Sequence, residues 1–111
     1  MSTAKKELFK KELQYAAAFH KALAHPARLA ILEYLAETEV CITGDISNEL
    51  PLSRTTVNQH LAELKTAGLI KGEVEGTKVN YCLNQGKINE MKALLEGFNE
   101  KLATCCNPSK C

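Results

Sequence analysis

Tryptophan is absent from these 111 residues, and aromatic side chains make up only 5% of them. A surface that grips its ligand on stacked aromatic platforms is therefore not expected. No apolar run approaches the ~18 residues that a membrane span requires. The opening stretch, MSTAKKELFKKEL, interleaves charged and apolar residues and lacks the apolar core of a signal peptide. The chain is expected to stay in the cytoplasm. Also missing are a phosphate-cradling loop, a C-x-x-C pair beside a βαβ pattern and an acid–base constellation. These absences weigh against an enzyme.

A strong charge of one sign is lacking too, since the formal net charge is only +1. The balance is uneven along the chain. Residues 1–28 carry six basic and two acidic side chains, whereas residues 29–52 carry five acidic and none basic. Charge alone is thus a poor pointer to nucleic acid, because many DNA-binding domains are plainly basic. Apolar residues at 45% and charged residues at 24% are typical of a globular protein. The length suits one domain, and a core of that size gains stability from pairing with a second copy.

Periodicity predicts a helix over 4–22, with Leu8, Phe9, Leu13, Ala16, Ala17 and Phe19 near helical spacing. His25-Pro26 punctuates the chain, and proline at a first helical position costs no needed N–H, so a second helix starts there. Its apolar positions are Leu29, Leu32 and Leu35, supported by Ile31 and Ala36. The stretch VCIT reads as a short apolar connection. A brief third helix, roughly 44–50, is stopped by Pro51. Ser53 is a good N-cap for a fourth helix running to Ala67, with Gly68 as the C′ residue. LIKGEVE and KVNYCL read as two strands around Gly76-Thr77. After a break at Asn84 to Gly86, Ile88, Met91, Leu94, Leu95, Phe98 and Leu102 mark a last helix, and TCCNPSKC is the tail.

A short helix, a tight turn at Pro51-Leu52, a longer capped helix and a hairpin make a winged helix-turn-helix, mainly α with a β-hairpin. On a helical wheel Val57, Leu61 and Leu64 form a core stripe. The opposite face carries Thr55, Gln59, Ala62 and Thr66, flanked by Thr56, Asn58 and Glu63. A face meant only for solvent more usually carries Glu and Lys pairs. Thr, Asn and Gln match base edges in the major groove, and Ala62 permits close approach. Ser53 and Arg54 stand at the positive helix end, suited to phosphate, and Lys71 and Lys78 of the hairpin reach phosphate or the minor groove. The expected DNA-contacting set is Ser53, Arg54, Thr55, Thr56, Asn58, Gln59, Ala62, Lys71 and Lys78. His60 falls at the core edge and reads as a packed, hydrogen-bonded histidine. His25 reads as a helix-start residue and His20 as a surface or dimer-face residue.

Three stretches carry a resemblance: KALAHPARLAILEYL, LPLSRTTVNQHLAELKTAGLI and KGEVEGTKVNYCLN. Together they cover residues 21–84 and resemble the ArsR/SmtB family of metal-responsive repressors. The resemblance implies a homodimer joined by the first and last helices, and a repressor of transcription whose apoprotein holds double-stranded operator DNA until an ion releases it. In the arsenic-sensing branch a C-x-C pair opens the third helix. Here Cys41 fits the first position, while Thr43, which is no soft ligand, fills the second. Some arsenic sensors of the family place their cysteines elsewhere.

Cysteines in a cytoplasmic protein are expected as free thiols, metal ligands or redox sensors rather than as disulfides. There are five, an odd number. Cys105, Cys106 and Cys111 offer three thiols within seven residues, and Pro108 favours a turn between them. Soft thiolates select soft ions, so trivalent arsenic or antimony, as arsenite or antimonite, is the expected effector, with no organic cofactor. Lys110 stands near enough to stabilise thiolates. A mixed site joining Cys41 to the tail is an alternative. Zinc fits less well, because it prefers four ligands and the tail has no histidine. Cys82, between Tyr81 and Leu83, reads as a small packing residue. The expected organisation is a DNA-binding and dimerisation domain over 1–104 and a cysteine-bearing tail over 105–111. Two rivals stay open: oxidation of the thiols as the trigger, and a thiol enzyme such as an arsenate reductase.

Overall fold

The computed structural model describes residue 5 and residues 7–38, 42–43, 46, 50–76 and 78–104, with only the backbone of Ile42, Thr43, Glu75 and Lys78. Among the described residues four longer helices and three strands are assigned. They are α1 (Lys11–Leu23), α2 (Pro26–Glu37), β1 (Ile42–Thr43), α3 (Arg54–Thr66), β2 (Ile70–Glu75), β3 (Lys78–Leu83) and α4 (Gln85–Ala103). The predicted third helix, 44–50, lies largely outside the described residues.

Helix starts follow local chemistry. His25 caps α2 with its ring, which accepts from the Ala27 N–H, and Pro26 takes the first helical position. Ser53 caps α3 by accepting from the Thr56 N–H at 3.3 Å. Asn84 caps α4 by accepting from the Lys87 N–H at 3.3 Å. The expected break at Asn84 to Gly86 is thus a single capping residue, and the helix begins at once. By contrast α1 begins at Lys11, later than residue 4. An earlier turn exists, since Lys5 is helical and the Leu8 N–H bonds the Lys5 carbonyl, but extended Lys10 separates it from α1, which no side chain caps.

The core gathers Phe19 and Ala22 from α1, Ile31 and Leu35 from α2, and Val57, Leu61 and Leu64 from α3, closed by Ile46, Leu69 and Ile70. Burying each larger aliphatic side chain contributes about 1.5–3 kcal/mol. The expected stripe on α2 needs correction. Ala27, Ile31 and Leu35, four residues apart, are its buried line, while Leu29 is 46% exposed. A four-residue repeat matches the helix pitch better than a three-residue one, and the inward line follows it.

The hairpin forms at the expected residues. Its two strands run antiparallel from Ile70↔Leu83 to Glu75↔Lys78, and Gly76 turns the chain at φ 64°. Strand β3 is also the middle strand of a three-stranded sheet ordered β1-β3-β2. Ile42 pairs with Tyr81 and Thr43 with Asn80, so part of the expected connection VCIT is an edge strand. Cys82, expected to be a packing residue, is bonded in a disulfide.

Candidate nucleic-acid interface

The division of α3 into two sides follows from its sequence. Val57, Leu61 and Leu64 are at most 3% exposed and anchor one side in the core. The opposite side presents Arg54, Thr55, Asn58, Gln59, Ala62 and Thr66 to solvent, with Thr56 half-buried beside them. Ser53 uses its hydroxyl twice, accepting from the Thr56 N–H and donating to the Thr56 Oγ1 at 3.0 Å. The helix N-terminus, the positive end of its dipole, is therefore held in shape. At the other end Gly68 adopts φ 83°, and the Leu69 N–H bonds the Leu64 carbonyl, which turns the chain directly into β2.

Lys71 is exposed on β2, opposite Cys82 of β3. The backbone of Lys78 stands opposite Glu75 at the hairpin end, and its side chain lies outside the described residues. The hairpin also shows an exposed Glu73 and Val74, the latter 77% exposed. The described hairpin surface therefore sets Glu73 and Val74 beside Lys71, which the lysine-centred expectation passed over.

Two residues fix how α3 sits: His60, expected at the core edge, and Arg28, which the sequence reading passed over. His60, at 8% exposure, is the one buried polar residue among those described, and Arg28 Nε donates to its Nδ1 at 3.1 Å. The same guanidinium donates through Nη1 to the Lys21 and Ala22 carbonyls at 3.2 and 3.5 Å. Arg28 thereby satisfies the open C-terminal carbonyls of α1 while holding α3 from the side. The His25 ring lies 4.3 Å from that of His60, centroid to centroid. Burial, and then the adjacent His25 and Arg28, hold the His60 pKa below its usual value, against a smaller opposing pull from Glu63. His60 is the packed, hydrogen-bonded histidine its wheel position suggests. The signal that finds Arg28 is the need of a buried imidazole for a partner.

His20 faces the other way. Its ring stands edge-on to Phe98 of α4 at 6.4 Å, and its Nδ1 pairs with the Ala16 carbonyl at 2.9 Å. Among the described residues no cluster of three His, Cys, Asp or Glu side chains could hold a metal ion. Cys41, Cys105, Cys106 and Cys111 lie outside the described residues. No helix among the described residues is long and apolar enough to cross a membrane.

Comparison with known proteins agrees with this geometry. A family described as "Helix-turn-helix domain" matches residues 23–73. The chain is 31% identical over 83 residues to the HTH-type transcriptional regulator YgaV of Escherichia coli, spanning 75% of this chain and 84% of that one. It is 40% identical over 63 residues to the HTH-type transcriptional repressor SmtB of Mycobacterium tuberculosis, covering 57% and 46% of the two chains. An ArsR-like transcriptional regulator from Rhodococcus superposes with a TM-score of 0.66 at 23% identity, over 80% of this chain and 83% of that one, and shows the same fold. These relatives are named as regulators, not enzymes. The chain belongs to the ArsR/SmtB family of winged helix-turn-helix transcriptional regulators that bind DNA.

Proposed function

We propose that this regulator is a homodimeric repressor that reads its operator with α3 and is released by trivalent arsenic or antimony. The observation that carries the DNA reading is the contrast between the two sides of α3. One side is anchored by Val57, Leu61 and Leu64, and the other offers short, neutral, hydrogen-bonding side chains beside a hairpin. Thr55, Thr56, Asn58, Gln59 and Ala62 meet base edges in this reading. Ser53 and Arg54 meet phosphate at the helix start, and Lys71 and Lys78 meet it from the hairpin.

Dimerisation is supported by apolar surface that one copy leaves open. Leu13 of α1 and Phe98 and Leu102 of α4 are 44%, 36% and 64% exposed, and no residue of α4 is fully buried. Leu13, Ala16, Ala93, Leu94 and Phe98 line a groove between these two helices. A second copy covering it places two α3 helices side by side, as a two-fold operator requires.

The effector reading rests on donor chemistry. Cys105, Cys106 and Cys111 supply three thiolates, the number and softness that a trivalent metalloid takes. Leu102 stands in the last turn of α4, three residues before Cys105. An ion closing the tail therefore acts next to the proposed dimer face and biases the pair toward a shape that fits DNA poorly. A loss of ~100-fold in operator affinity needs only ~3 kcal/mol of coupling. The test is operator binding with and without arsenite. Each of Cys105→Ser, Cys106→Ser and Cys111→Ser is expected to keep DNA binding and lose the arsenite response. Full response in all three variants would remove the tail from the mechanism. Thiol oxidation is a second trigger, favoured by the disulfide at Cys82.

A further inference from the structure

The hairpin turns two unlike faces. Its register sets Ile70, Gly72 and Val74 of β2 on one face, opposite Leu83, Tyr81 and Val79 of β3. Lys71 and Glu73 alternate onto the other face. The first face is the one turned to the helices, since Ile70 belongs to the core and Tyr81 and Leu83 pack against it. Two steps farther out the core has ended, and Val74 is 77% exposed. Gly72 stands between the buried end and the open one. A methyl group on Gly72 would lie 3.3 Å from Tyr81 Cε1 and 3.4 Å from Lys65 Nζ. The Lys65 side chain therefore leaves the last turn of α3 and lays its ammonium on the hairpin, where a β-carbon is missing. Lys65 is exposed, and among the described residues no carboxylate pairs with it. On the wheel it falls between Leu61 of the core stripe and Asn58 of the reading face, on the flank that also carries Arg54. Arg54 opens α3, and Lys65 stands about 16 Å farther along the axis. A major groove about 12 Å wide has phosphates on both walls, so cations at the two ends of this flank reach opposite walls.

We infer that Lys65 is a DNA-contacting residue, a phosphate-binding cation seated in the angle between α3 and the hairpin, and that Gly72 is the gap that seats it. The inference rests on α3 being the reading helix. It adds to that reading a cation on the hairpin face opposite to Lys71. An ammonium that meets phosphate carries no base preference, so its contribution is felt by every sequence alike and is screened by salt. The seat matters because a lysine loose in solvent gives up rotamer freedom when it binds. Lying on the hairpin, Lys65 has given up part of that freedom before DNA arrives.

Two DNA probes test this in the full chain: a mixed-sequence duplex, and a duplex that the wild-type protein selects from a random pool. Lys65→Met keeps the stem and removes the charge. It is expected to weaken binding to both duplexes about three- to tenfold and to reduce the salt slope by about one, with the melting temperature unchanged. Lys65→Arg should restore the slope. Combined with Lys71→Ala, Lys65→Met should lower the slope by about two, because the two cations act from opposite faces. Gly72→Ala displaces the ammonium, so it should weaken binding about twofold or more in the wild-type background and add little to Lys65→Met. A Gly72→Ala loss of full size in the Lys65→Met background would overturn the seat. An unchanged salt slope in Lys65→Met, while Gln59→Ala loses its preference for the selected duplex, would overturn the Lys65 assignment alone. If Gln59→Ala changes nothing either, α3 is not the reading helix and the inference falls with it. A lowered melting temperature in Lys65→Met with the slope intact would make Lys65 a packing residue and overturn the assignment too.

Discussion

At the scale of single residues, the contact that most shapes the interface is Arg28 on His60. A neutral imidazole suits it: Nδ1 accepts from the guanidinium, which leaves the ring proton on Nε2. Protonating His60 would set a cation against Arg28 and beside His25. Its folded-state pKa is lowered by burial first and by those two neighbours next, so the unfolded chain takes up this proton more readily. The stability it contributes is present above the ordinary histidine value of 6.5 and is lost as pH falls from there toward the lowered value. Melting temperature is therefore expected to drop between pH 7 and pH 5, and His60→Gln, whose amide oxygen still accepts from Arg28, should show a shallower drop. Parallel pH profiles for the two proteins would count against this role. The sequence shows that His60 faces inward, from its place on the wheel. It does not show Arg28, because the pairing joins residues 32 apart and no local period records that.

At the scale of elements, α3 performs as its pattern predicts, since capping, stripe and stop are all local. Ser53, Val57, Leu61, Leu64 and Gly68 each stand within one turn of the neighbour that gives them meaning. Elements defined by distant partners are harder to read. Strand β1 is two residues that become a strand only because Tyr81 and Asn80 lie alongside. The inward line of α2 depends on where α1 and α3 press, and Leu29 gives way to Ile31. The same division holds for the candidate site: the α3 face is legible, whereas the Arg28 contact that holds it from the side is not. For α3 itself, Gln59→Ala should weaken operator binding by about 1–3 kcal/mol and relax preference at one base position without altering the melting temperature. Lys71→Ala should weaken binding to all sequences alike and reduce the salt slope by about one. Competition binding across salt concentrations separates the two effects, and a Gln59→Ala protein with unchanged sequence preference would remove Gln59 from the reading set.

At the scale of the whole molecule, two helices leave apolar side chains in solvent, and the pattern makes sense in a pair of chains. Leu102 is 64% exposed, and it lies on the side of α4 that carries Phe98. Leu102→Glu sets a charge on that face, so it should shift the protein toward monomer in sedimentation while leaving the helical signal of each chain nearly unchanged. Operator affinity should fall in step, because a lone reading helix contacts half a site. A variant that remains dimeric at micromolar concentration would move the dimer face elsewhere.

One small joint governs more than its size suggests. The Asn84 N–H bonds the Leu69 carbonyl at 2.9 Å, and its side chain caps α4. At that spot the end of α3, the root of the hairpin and the start of α4 are joined. In the proposed dimer, tilting α4 against its twin would carry α3 and the hairpin with it and set the separation of the two reading helices. The spacing of operator half-sites that such a protein accepts is then a property of this joint, and side chains that never approach a base can decide which promoters it finds.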